Sequence, residues 1–325
     1  MCMNGEIIRV ANGSLEMDVM AYGCRIVSLR APDRDGRPGD VVLGFSTLEG
    51  YIQSPMFFGA LVGRYGGRIA NARFQLDGRT YQLTVNEPPN QLHGGLNGFD
   101  KAVWETERSL NGTAVTFRRT SPDGEEGYPG NLRVQATYTL TETNELVIDL
   151  DAETDAPTVV NLTQHSYFNL RGEGDILQHR LFVNADAYVA VDDRLLPLGV
   201  APVDQTRFDF RVERTLGSQI EEGYDHTFAL NRTGETLTHA ARLRDPSSGR
   251  VLDIRTTEPG LQIYTAQGLD GSAIGKGGKR YPKFGGISLE TQHFPDSPNH
   301  PEFDQPLLRP GERYRSRTVF AFSAE

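Results

Sequence analysis

The chain lacks several things that would have pointed elsewhere. It has only two cysteines, Cys2 and Cys24, in 325 residues. A disulfide between them is not expected, and a reducing compartment fits better. It has no run of Lys or Arg, and its formal net charge is −10. A phosphate backbone would meet an unfavourable average field, so no nucleic-acid partner is expected. It has no stretch near the ~18 consecutive apolar residues of a membrane helix, so no membrane span is expected. The opening MCMNGEIIRVANG has no basic segment followed by an apolar run, which argues against a secretory signal. A cytoplasmic protein is the expectation. Helical periodicity is scarce too. The one modest helix candidate is RTLGSQIE, residues 214–221.

What the chain does have is strand alternation, punctuated by 35 Gly and 18 Pro. RFQLDGRTYQL (73–83) reads as a hairpin turning at Asp77-Gly78. AVTFRRT, LRVQATYTL and ELVIDLDAE follow at short intervals, and ARLRDPSSGRVLDIRTT (241–257) reads as a second hairpin around Pro246 to Gly249. RYRSRTVFAFS closes the chain as a strand. No linker, low-complexity tract or fixed-period repeat interrupts this density. The expectation is one all-β domain over residues 1–325, a large and mostly antiparallel β-sandwich with few short helices.

Several strands carry polar residues in unexpected places. In GGISLETQHFPDSP (285–298), Glu290 alternates with Ile287 and Leu289 and so lies on the opposite face from them. Glu is a poor strand former. Either that face is solvated, or the carboxylate is a base held on a rigid sheet. In TVVNLTQHSYFNL (158–170), read as one strand, His165 falls on a polar-capable face between Thr163 and Tyr167. Gln262 of GLQIYTAQ alternates with Leu261 and Ile263, and Asp225 of EGYDHTFAL stands near the start of a strand. His93 sits in the Gly-punctuated loop NQLHGGLNGFDKAVWE, and Arg64 and Arg68 sit in GRYGGRIANARF. Each alone has an ordinary explanation: a solvent-facing amide, a turn residue, a surface ion pair. Together they supply a base, an acid, neutral donors and an arginine, with several mounted on sheet strands. Such a face suits a sugar, which needs many directional hydrogen bonds and often an aromatic platform.

The segments GRYGGRIANARFQLDGRTYQL, NQLHGGLNGFDKAVWE, DGEEGYPGNL, NLTQHSYFNLRG, EGYDHTF, LQIYTAQGLDG and GISLETQHFPDSPNHPEFDQPLLRPGE resemble, in order, those of the aldose 1-epimerase (galactose mutarotase) family. The resemblance implies a one-domain, mostly antiparallel supersandwich. It implies Glu290 as general base and His165 as general acid, with Arg68, His93, Asp225 and Gln262 binding the sugar. Gly67 is a departure, because the family usually has Asn before this arginine. One amide to a sugar hydroxyl is missing, worth ~0.5–1.5 kcal/mol, so a shifted preference with intact acid and base is expected.

The implied reaction interconverts the α and β anomers of a free aldose. A proton leaves the C1 hydroxyl, another reaches the ring oxygen, and the ring opens, rotates about C1–C2 and closes again. No redox step occurs, so no cofactor is expected, and no metal, since no tight ligand motif such as HExxH is present. Glu290 and His293 have opposite strand parity and should not share a ligand sphere. From reference values Glu290 is expected ionised and His165 at least partly protonated, its proton held by the nearby carboxylate. The expected partner is a monosaccharide, and the chain a monomer or weak homodimer. Three rivals remain: a non-catalytic sugar-binding module, a hexose-6-phosphate epimerase, and a glycosidase using Asp225 with Glu290.

Overall fold

The computed structural model describes residues 5–234 and 236–325; Cys2 lies outside them. Almost every regular element is a strand. The one α-helix among the described residues is the six-residue Leu48–Gln53, capped by Thr47. Two sheets dominate. The larger has nine strands in the order Glu105–Arg108, Ala114–Ser121, Leu132–Leu140, Glu145–Thr154, Tyr314–Ala324, Arg250–Thr256, Thr238–Arg244, Arg180–Val183 and Arg214–Thr215. The smaller has six: Tyr167–Phe168, Ile287–Gln292, Gly260–Tyr264, Asp225–Ala229, Ala187–Val191 and Pro197–Pro202. A four-stranded sheet begins with Ile7–Asn12 and ends with Pro38–Asp40. All the strand pairs among the described residues are antiparallel.

Alternation explains the layering. In Leu132–Leu140 every second residue is buried, as in Glu145–Thr154. Their apolar faces meet Ile287, Leu289, Leu261, Ile263, Phe168 and Phe228 of the six-stranded sheet in one continuous core. Phe168 and Phe320 touch across it, with ring centroids 5.5 Å apart. Apolar contact between two antiparallel faces is what makes a sandwich. It also commits the opposite face of Ile287–Gln292, carrying Ser288, Glu290 and Gln292, to point away from the core.

Both expected hairpins form. Asp77 and Gly78, each at positive φ, make the turn between Arg73–Leu76 and Arg79–Gln82. Thr238–Arg244 pairs with Arg250–Thr256. Two expectations need correcting. Residues 214–221 are not one α-helix: a two-residue strand, Arg214–Thr215, leads into a short 3-10 helix, Leu216–Gln219. The N–H groups of Leu216 and Gly217 donate to the carbonyls of His179 and Leu177, and these tertiary bonds override a weak local propensity. Residues 158–170 are not one strand. Thr158–Val159 pairs with Leu307–Leu308, Thr163–His165 with Ala60–Val62, and Tyr167–Phe168 with Ile287–Ser288. The chain changes partner twice, and every residue of both site-proximal pieces is buried.

Candidate active site

The polar face of Ile287–Gln292 floors a cleft of roughly 870 Å³, its open mouth included. That size suits a small ligand. Arg68, His93, His165, Asp225, Gln262 and Glu290 all line it. The structure therefore brings together all six residues singled out in the sequence. Arg64 is not among them. Its guanidinium is buried against Ser121 and the carbonyls of Pro122 and Pro129. His293 also turns elsewhere, toward Glu258 at 3.6 Å.

Register places the central row. Gln262 is directly opposite Glu290, and Thr227 is directly opposite Gln262. The Thr227 hydroxyl donates to Gln262 Oε1, and Gln262 Nε2 donates to Asp225 Oδ1. These bonds fix the amide and leave Asp225 Oδ2 for other donors. Glu290 is 1 % exposed, so the solvated-face reading of this carboxylate fails. Oε1 of Glu290 lies 3.4 Å from Nε2 of His165. Nδ1 of His165 lies 3.0 Å from Ser288 Oγ. The imidazole is stacked between Tyr167, at 4.9 Å, and Phe57, at 5.6 Å, which holds its plane.

Arg68 and His93, two of the candidate binding residues, lie on a short strand and just after its partner strand. Arg68, in Arg68–Ile69, pairs with Leu92. Its Nε and Nη2 donate to the two Glu87 carboxylate oxygens at 2.8 Å each, a bidentate clamp that sets the guanidinium plane. His93 adopts a positive φ of 53°. Gly94 follows because a Cβ there would meet the Gly63 carbonyl oxygen at 1.9 Å. The Gly67 N–H donates to His93 Nδ1 at 3.2 Å.

Electrostatics reverses one expectation. Burial, with the Asp225 charge adding to it, pushes Glu290 up to about 8. Burial pulls His165 down to about 3. At neutral pH the pair's single proton therefore rests on Glu290, not on His165. The expectation used reference values and the attraction between opposite charges. Desolvation of two fully enclosed groups outweighs both. Asp225 rises to about 6 by burial, against the opposing pull of Arg68. His93 is held well below its ordinary value by burial and by the neighbouring His165.

His93, His165 and Glu290 each bring one ligand-type atom within 4.8 Å of the others, a grouping that no spacing motif announces. Because His93 Nδ1 accepts the Gly67 N–H, the neutral ring carries its proton on Nε2. The ring then offers a donor to an oxygen ligand rather than a second lone pair to a cation. The cleft's cationic side chains, histidines aside, reduce to Arg68 among the described residues. That is a poor phosphate pocket, since the guanidinium already serves Glu87.

Sequence reasoning passed over Ser288, Gln292, Thr227, Tyr264 and Phe57. Ser288 and Gln292 share Glu290's parity, so that signal was present. Phe57 lies outside any strand and has no periodic signature.

Fold and site define a class: an antiparallel β-sandwich with a carboxyl–imidazole pair enclosed on the outer face of one sheet. Residues 6–321 match the family model for aldose 1-epimerase. The chain is 49% identical over 325 residues to galactose mutarotase of Mus musculus, covering 98% of this chain and 94% of that one. It is 39% identical over 326 residues to aldose 1-epimerase of Escherichia coli strain K12, covering 97% and 94%. Among solved structures it is similar to the aldose epimerase homologue from C. elegans, with a TM-score of 0.93 at 31% identity, covering 98% and 99%. The chain belongs to the aldose 1-epimerase family.

Proposed function

We infer that this protein is an isomerase that interconverts the α and β anomers of free aldoses, galactose and glucose first among them. Glu290 is the base and His165 the acid. The observation that carries the assignment is the 3.4 Å contact between His165 Nε2 and Glu290 Oε1, inside a cleft lined by hydrogen-bonding groups that include Arg68, Asp225 and Gln262.

The pair holds one proton. Passing it from Glu290 to His165 Nε2 yields a carboxylate and an imidazolium. The Arg68 charge favours the carboxylate, and sugar hydroxyls donating to it act in the same direction. Glu290 then takes the proton of the C1 hydroxyl. The C1–O5 bond breaks as C1=O forms, and His165 delivers its proton to O5. Rotation about C1–C2 presents the other carbonyl face. O5 attacks C1 and returns its proton to His165, while Glu290 reprotonates O1. Protons and electrons balance over the cycle. Arg68, His93, Asp225 and Gln262 hold the sugar while this happens, and mounting the pair on strands keeps its separation fixed.

We further propose a single domain acting as a monomer or weak homodimer on a monosaccharide. The buried, unbridged Cys24 suits a reducing compartment such as the cytoplasm. No helix among the described residues is long and apolar enough to cross a membrane.

Polarimetry of freshly dissolved α-D-galactose and α-D-glucose tests the function. Equilibration much faster than in buffer is expected for at least one sugar. Saturable sugar binding with no acceleration would favour a binding module instead. Release of reducing sugar from an aryl glycoside would favour a glycosidase.

A further inference from the structure

Gln292 ends the strand that carries Glu290, two residues further along the same face. It is 1 % exposed and lines the cleft. Its Oε1 is buried and has no hydrogen-bond partner in the protein. Such an orphan costs on the order of 1–3 kcal/mol and calls for an explanation. The surroundings supply one. Across the sheet Gln292 faces Gly260. A Cβ on Gly66 would stand 3.1 Å from Oε1, and one on Gly67 would stand 3.5 Å from Nε2. Two glycines thus stand against the carboxamide, where a larger residue would crowd it. Gln262, by contrast, has both amide ends tied by Thr227 and Asp225. One glutamine of the cleft is tied within the protein at both amide ends, and the other keeps a buried oxygen without a protein partner.

We propose that Gln292 is a specificity-determining residue that hydrogen-bonds a ring hydroxyl away from the reacting carbon. The proposal rests on the sugar-binding reading of this cleft and deepens it. Ser288, which touches His165, lies on one side of Glu290 along the strand, and Gln292 lies on the other. A two-residue step is about 6.6 Å, more than a C1 hydroxyl held by Glu290 spans, so Gln292 meets a different hydroxyl. It also supplies an amide beside the side-chain-less position 67.

The test compares wild type with Gln292→Met, which keeps the length and loses both polar ends. Both are assayed on galactose and glucose and on their 2-, 3-, 4- and 6-deoxy forms, by polarimetry for kcat/KM and by calorimetry for binding. For the parent sugar that wild type prefers, kcat/KM should fall roughly 3- to 10-fold in the variant, the equivalent of one neutral hydrogen bond. That loss should vanish for one particular deoxy sugar, the one lacking the contacted hydroxyl. The variant should melt no lower than wild type, because an orphaned polar atom has been removed. A loss that is equal across the deoxy series, or no loss at all, would overturn the proposal. If wild type binds these sugars with the same Gln292-dependent pattern but does not epimerise them, the enzymatic reading fails and this one stands. Epimerisation with no such pattern has the reverse meaning.

Discussion

The Oγ of Ser288 lies 3.0 Å from Nδ1 of His165, and the same hydroxyl hydrogen-bonds Glu290 and lowers its pKa. One small side chain therefore touches both members of the proposed acid–base pair. It orients the imidazole so that Nε2 meets Glu290, and it partly offsets the burial that keeps Glu290 protonated.

Replacing that hydroxyl has a definite sign. Ser288→Ala removes a bond that favours the carboxylate, so Glu290 should hold its proton to higher pH. The working pair holds one proton, which leaves as Glu290 titrates, so the falling alkaline limb of the pH–kcat/KM profile should move to higher pH, with a loss of roughly 3- to 10-fold near neutrality because passing the proton to His165 costs more. A role confined to packing would leave the limb where it is. The profile of wild type against Ser288→Ala, with melting temperatures as control, separates the two.

Asp225→Asn should shift the same limb the other way. Asp225 is the charge that adds to burial in raising Glu290, so neutralising it lets Glu290 ionise at lower pH. KM should nevertheless rise, because an acceptor already bonded to Gln262 Nε2 is weakened as a sugar partner. Opposite movement of KM and of the alkaline limb in one variant is the signature to look for.

Arg68→Lys should be costly despite retaining the charge. A lysine cannot reproduce the two 2.8 Å bonds to Glu87, and so loses the orientation that the clamp imposes. About a tenfold loss in kcat/KM is expected, mainly in KM, with little change in melting temperature. Steady-state kinetics on the preferred aldose measures it.

Stability should carry the imprint of the same pair. The folded-state pKa of Glu290, about 8, lies above its ordinary 4.5. Between those values the unfolded chain releases a proton that the folded chain keeps. The Glu290 contribution is therefore fully present below about 4.5 and is lost as pH rises through 8. Glu290→Gln, which is permanently neutral, should melt above wild type at pH 8–9 by a few degrees, and the gap should close toward pH 4–5. His165 behaves in the opposite sense. Its folded pKa of about 3 lies below 6.5, so stability falls as pH drops from 6.5 toward 3. Calorimetric melts across pH 4–9 test both signs.

The strands were legible because alternation is local. Glu290's face, the turn at Asp77-Gly78 and the long strand ending in Ala324 all follow from residue order. The segment around His165 was less so. Its side-chain parity held, and His165 does stack on Tyr167, but its three successive partners lie in chain regions far away. Protonation was illegible for the same reason. Nothing in LETQHF or NLTQHSYF records that both groups are closed off by Phe57, Tyr167 and the neighbouring strands. Burial is a property of the assembled sheet, and here it outweighs the local charges.

The most direct test is the mutarotation rate of α-D-galactose by polarimetry with Glu290→Gln and His165→Asn, each shown to be folded by its melting curve. A positioned acid or base contributes roughly 10²–10⁴-fold. Both variants should fall at least a hundredfold below wild type, and the double variant should fall little further, because the two residues act as one unit. Either single variant turning over at the wild-type rate would contradict the assignment of the reaction to this pair.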